Sequence, residues 1–89
     1  MKIQIEVKST RNNSSIRKIK SDVNVLGKNI RELRLYIYLT QRELGKIMNV
    51  STRTISTWER GTREPDVETI IKIAKYFEIS TDYLFGLEL

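Results

Sequence analysis

Residues 40–61, TQRELGKIMNVSTRTISTWERG, constrain this chain more than any other stretch. Their apolar residues fall at Leu44, Met48, Val50, Ile55 and Trp58. Leu44 and Met48 are four apart and share one helix face; Ile55 and Trp58 are three apart and share a face of a second helix. Val50 lies between them and is placed to plug the corner. Gly45 removes a side chain where two helices must approach closely. Asn49 tolerates the left-handed backbone that a sharp turn requires. Ser51 or Thr52 then caps the second helix. The pattern predicts two short helices joined by a tight turn.

The flanks extend this pattern. LGKNIRELR precedes it and EPDVETIIKIAKYFEISTDYLFG follows it. Together the three stretches resemble the lambda-repressor and Cro type of helix-turn-helix, the xenobiotic-response-element type of transcriptional regulator. The resemblance runs from Leu26 to Gly86 and leaves the first 25 residues unmatched. It implies an all-α fold, a five-helix lambda-repressor-like DNA-binding domain over residues 26–89, with its helix-turn-helix at 41–60. Two departures are mild: the family usually has Ala where Gly45 stands and Gly where Asn49 stands.

The chain has 89 residues, close to the lower size at which one core suffices without staples. It has no cysteine and no histidine. That removes disulfides, thiolate metal sites and the commonest general base, so an enzyme, a metal or another cofactor has no support. The first ten residues lack the apolar run of a signal peptide, and the longest apolar run, residues 35–39, is too short for a bilayer. A cytoplasmic protein with no membrane partner is the expectation.

The net charge is +5, and its distribution is uneven. Residues 1–25 carry six basic and two acidic side chains; the remainder carries ten and nine. The first 25 residues therefore read as a basic N-terminal arm, either a solvated tail or a source of phosphate contacts. Within it, MKIQIEV alternates like a strand that would need a pairing partner. Ser15 to Lys20 suggest a short helix or turn.

The first helix of the domain is expected over about residues 25–38, with Asn24 as its N-cap and Leu26, Ile30, Leu33 and Ile37 facing inward. Thr40 caps the second helix, with Glu43 at capping-box spacing. The third helix ends at Gly61. Pro65 and Asp66 start the fourth, whose inward residues should be Val67, Ile70, Ile71, Ile73, Ala74 and Phe77. Ser80 caps a short last helix, TDYLF, that ends at Gly86.

With Ile55 and Trp58 buried, the outer side of the third helix carries Arg53, Thr57 and Arg60, flanked by Ser56; Ser51 and Thr52 project from its N-terminal end. A helix so equipped suits the major groove, where Arg can form two hydrogen bonds to guanine and Thr can meet the thymine methyl. The alternative is an ordinary solvated face. Gln41 stands at a helix start, where an anion is favoured; the resemblance implies that it anchors the DNA backbone. Arg42, Lys46 and Arg63 are further candidates for phosphate. The resemblance also implies a structural salt bridge between Arg34 and Glu59. Trp58 reads as core, not as a stacking platform.

These readings point to a sequence-specific regulator of transcription, a repressor that binds a palindromic operator in double-stranded DNA as a homodimer. The self-association surface would be the apolar C-terminal end, Tyr83, Leu84, Phe85, Leu87 and Leu89, with strand pairing through MKIQIEV as the competing site and a monomer that dimerises only on DNA as the alternative to both. Two alternatives stand beside it: an antitoxin with a protein toxin as partner, and a protein-interaction module that has lost DNA binding.

Overall fold

The computed structural model describes residues 24–87. Residues 1–23 of the arm, with the strand-like MKIQIEV and the turn at Ser15 to Lys20, and residues 88–89 lie outside the described residues. Five helices follow in order: α1 (Val25–Tyr36), α2 (Gln41–Met48), α3 (Thr52–Arg60), α4 (Val67–Phe77) and α5 (Thr81–Leu84). The described part is all-helical, as the pattern predicts.

Local signals set the boundaries. At α2, the Thr40 side chain accepts from the Glu43 N–H while the Glu43 carboxylate accepts from the Thr40 N–H, a full capping box. The side chains of Ser51, Asp66 and Ser80 cap α3, α4 and α5 through the N–H groups of Thr54, Thr69 and Tyr83. Asn49 closes α2 at φ 62°, and Gly61 closes α3 at φ 79°. Each is a residue type that reaches the left-handed region at low cost.

The core is Leu26, Ile30, Leu44, Met48, Ile55, Trp58, Ile70, Ile73, Ala74 and Leu84, with Leu33, Leu39, Val50, Phe77 and Ile79 packed around it. α3 lies at the centre, against both α1 and α2. Two glycines permit this closeness. A Cβ on Gly27 would collide with the Trp58 carbonyl, and one on Gly45 would stand 2.8 Å from the Val50 carbonyl.

Four expectations need correction. α1 stops at Tyr36, not Tyr38, and Ile37 is exposed. The Tyr38 N–H bonds to the Leu35 carbonyl and the Leu39 N–H to the Arg34 carbonyl; this closing turn carries Leu39 inward in place of Ile37. Asn24 flanks α1 but makes no side-chain cap; only its backbone carbonyl accepts, from the Lys28 N–H. Val67 and Ile71 face outward on α4, because the buried stripe Ile70, Ile73 and Ala74 is narrower than the apolar sequence. Finally, Leu84 is fully buried and so unavailable to a partner.

Candidate nucleic-acid interface

The inner side of α3 fixes which residues can face outward. Ile55, Trp58 and Glu59 are buried. A buried glutamate needs a partner, and Arg34 on α1 supplies it. Arg34 Nε donates to Glu59 Oε2 at 2.6 Å and Nη2 to Oε1 at 3.0 Å, a two-point ion pair with both side chains under a tenth exposed. Arg34 Nη1 also donates to the Leu39 carbonyl at 2.8 Å. Gln41 Nε2 donates to Glu59 Oε1 at 3.0 Å. One carboxylate thus ties together α1, the start of α2 and α3. Among the described residues, no buried side-chain nitrogen or oxygen lacks a hydrogen-bond partner.

The outward side follows. Ser51, Thr52, Arg53 and Arg60 are exposed; Thr54, Ser56 and Thr57 are half-buried. Thr57 is less free than its helix position suggests, since its hydroxyl donates to the Thr54 carbonyl at 2.7 Å. Arg60 Nε donates to the Ser56 carbonyl at 3.3 Å, which lays its side chain along the helix. Arg53 and Thr52 are therefore the most open groups at the N-terminal half of α3. Ser51 spends its oxygen on the cap and contacts the Thr54 hydroxyl at 3.0 Å.

Charge completes the description. Between residues 40 and 63, Arg42, Lys46, Arg53, Arg60 and Arg63 are all exposed, and only Glu43 and Glu59 are acidic. Glu43 is held in the capping box and Glu59 in the ion pair. Five exposed basic side chains against one exposed acidic one leave the solvent side of the unit net positive, suited to a polyanion. The family resemblance implied the pairing of Arg34 with Glu59, but no pattern in the residues shows that Gln41 joins the same carboxylate. Reading the sequence also missed Asn29, whose side chain donates at 3.1 Å to both the Tyr83 and Leu84 carbonyls and so ties α1 to α5.

The helix-turn-helix family profile matches residues 30–84, more than half of the chain. The chain belongs to the Cro/C1-type helix-turn-helix family. This helix-turn-helix domain is 38% identical over 61 residues to the HTH-type transcriptional regulator ImmR of Bacillus subtilis, covering 68% of the chain and 48% of that protein. It is 36% identical over 63 residues to the Repressor protein C2 of Salmonella phage P22, covering 71% and 29%. It is also 36% identical over 64 residues to the HTH-type transcriptional regulator DicA of Escherichia coli, covering 71% and 47%. The chain thus spans about half or less of these relatives. Among solved structures it resembles the P22 c2 repressor in complex with the synthetic operator 9T, with a TM-score of 0.66 and 36% identity over 71% of this chain and 96% of that one. Among the described residues, no helix is long and apolar enough to cross a membrane.

Proposed function

We propose that this helix-turn-helix domain is a sequence-specific DNA-binding regulator of transcription that acts as a repressor. The observation that carries the reading is the sidedness of α3. Its acidic residue is buried in an ion pair, while Arg53 and Arg60 stand exposed on the other side. α3 enters the major groove with Ser51, Thr52 and Arg53 leading and Ser56, Thr57 and Arg60 behind. Arg53 takes the principal base contact. Thr57 presents its methyl, because its hydroxyl is committed to Thr54.

Gln41 and Arg42 hold the phosphate backbone at the start of α2. The bond from Gln41 to Glu59 fixes the direction of the Gln41 amide before DNA arrives, which lowers the ordering cost of binding. Lys46 and Arg63 add backbone charge. The similarity to a repressor held on its operator supports double-stranded DNA as the ligand.

The domain acts as a homodimer on a partly palindromic operator, with half-sites about 34 Å apart. Tyr83, Phe85 and Leu87 are the exposed apolar residues at the C-terminal end that support this. A gel shift on random duplex DNA across a salt series, followed by selection of a preferred site, tests the reading. Salt-dependent binding that sharpens to one selected sequence is expected; no shift at low salt would refute it.

A further inference from the structure

Tyr38 is a bulky residue at φ 62°, a backbone region that Gly or Asn occupies at far lower cost. Its side chain is 91% exposed, so no packing among the described residues rewards it. The turn itself does not need a tyrosine. The Tyr38 N–H is bonded to the Leu35 carbonyl, the Leu39 N–H to the Arg34 carbonyl, and the Leu39 carbonyl to the Arg34 guanidinium. Those three bonds involve only backbone and Arg34. The surroundings therefore impose the left-handed conformation whatever side chain stands at 38, and strain held this way clusters at functional sites.

The same bonds say where in the fold the residue stands. Arg34 grips the residue after Tyr38 with one nitrogen and pairs with Glu59 on α3 through two others. Thr40 and Gln41, the start of α2, follow directly, and Gln41 is bonded to the same Glu59. The corner that bears Tyr38 is thus locked to α3 and to the phosphate-facing end of α2. Tyr36 differs: it lines a shallow pocket with Glu32, Leu33 and Tyr83, toward α5.

We propose that Tyr38 is an additional contact to the sugar–phosphate backbone of DNA, with its phenolic O–H donating to a phosphate oxygen. Tyrosine is one of the neutral side chains able to make that contact. The role rests on the DNA-binding reading given above. It extends the interface from the start of α2 onto the α1–α2 corner and sets the strain at 38 against binding.

The test compares Tyr38→Phe and Tyr38→Asn with the wild type in the full chain, by thermal melting, by affinity for the selected duplex and for random duplex across salt, and by sedimentation without DNA. Tyr38→Phe should melt like the wild type and lose affinity about tenfold, equivalent to about 1.4 kcal/mol. The loss should be equal on both duplexes. The salt slope should not move, because a neutral hydroxyl releases no counterion. Tyr38→Asn should melt no lower than the wild type and bind at least as weakly as Tyr38→Phe. Wild-type affinity in Tyr38→Phe would overturn the contact while leaving DNA binding by the domain intact. A variant that loses self-association at unchanged DNA affinity would overturn it too, by assigning the ring to a second copy. Failure of the wild type to bind any duplex would remove both readings together.

Discussion

Between residues 40 and 63 one acidic group is buried in an ion pair, the other caps α2 at the surface, and five basic ones face out, whereas between 67 and 87 large apolar side chains face out beside the charged ones. Val67 and Leu87 are about seven-tenths exposed, and Ile71, Tyr83 and Phe85 a little over two-fifths. Val67, Ile70, Ile71, Thr81 and Phe85 line an apolar groove of about 260 Å³ between α4 and α5. The first region is finished as a monomer: its polar groups are paired and its surface is charged. The second is stable as it stands, through Ile73 and Leu84, but leaves apolar surface uncovered. On the proposed function, a rigid reading head and an associating end are different physical tasks, and this division by region would separate them.

The largest expected effect falls where the two regions share a core. Trp58→Ala should cost about 3–5 kcal/mol, since it empties a site where α3 packs under α1. In so small a domain that is a large part of the total. Urea denaturation reads it directly; a wild-type midpoint would mean that the indole carries no core packing.

The ion pair ties the reading head to α1. Arg34→Ala or Glu59→Ala should each cost about 3–5 kcal/mol, because either leaves an uncompensated buried charge. Arg34→Met combined with Glu59→Leu should cost much less, because neither charge remains. The double variant would still bind DNA weakly, having lost the acceptor that orients Gln41. If each single variant were as stable as the double, the pair would be acting as a surface bridge.

How far this was legible from the residues depends on the kind of signal. Every cap but the one expected of Asn24 was legible because caps are local: Thr40 with Glu43, Ser51, Asp66 and Ser80 each act within three residues. The corner was legible because Gly45 and Asn49 have few other reasons to stand where they do. The inward faces of α1 and α4 were overread. Periodicity counts every apolar residue at the right spacing, and it cannot know that a turn at Tyr38 removes Ile37 or that no described residue covers Val67 and Ile71. The Arg34–Glu59 pairing entered through family resemblance, since two charges 25 residues apart carry no pattern of their own. The strain at Tyr38 could not be read at all, because it depends on a dihedral angle.

On the DNA side, Arg53→Ala should cost about 1–3 kcal/mol on the preferred site and little on random duplex. Gln41→Ala should weaken both alike. Equal losses for Arg53→Ala would make it a phosphate contact and move base readout toward Thr52 and Thr57.

At the other end, Phe85→Ser should weaken self-association by about 1–2 kcal/mol per copy, from the apolar area it withdraws. Folding should be little affected, since Leu84 keeps the core contact. Sedimentation of this variant, of a chain ending at Gly86 and of one lacking residues 1–8 separates the candidate surfaces. A wild-type dimer that survives both C-terminal changes but is lost with the first eight residues would move the interface to the arm.

The smallest effect is a pH dependence confined to α4. Its cap is Asp66, where α3 and α5 carry serine, so one of these three caps can titrate. The hydrogen bonds from Thr69 hold the Asp66 carboxyl below its ordinary value, with a smaller contribution from the Lys72 charge; slight desolvation opposes them. The lowered value means that the folded state favours the carboxylate. The stabilisation is present in full above the unfolded-state value of about 3.9. It is lost as pH falls through the lower folded-state value, where the native carboxyl takes up its proton. Asp66→Ser keeps a capping oxygen but removes the titration. The stability difference between wild type and Asp66→Ser should therefore be constant near neutrality and shift against the wild type on acidification below about pH 4. DNA affinity measured near neutrality should be the same in both, because Asp66 is not among the proposed DNA contacts and both residues cap α4 there. A stability difference that stayed flat through the acid range would mean that the Thr69 N–H gains nothing from the charge, and that α4 is held by Ile70, Ile73 and Ala74 alone.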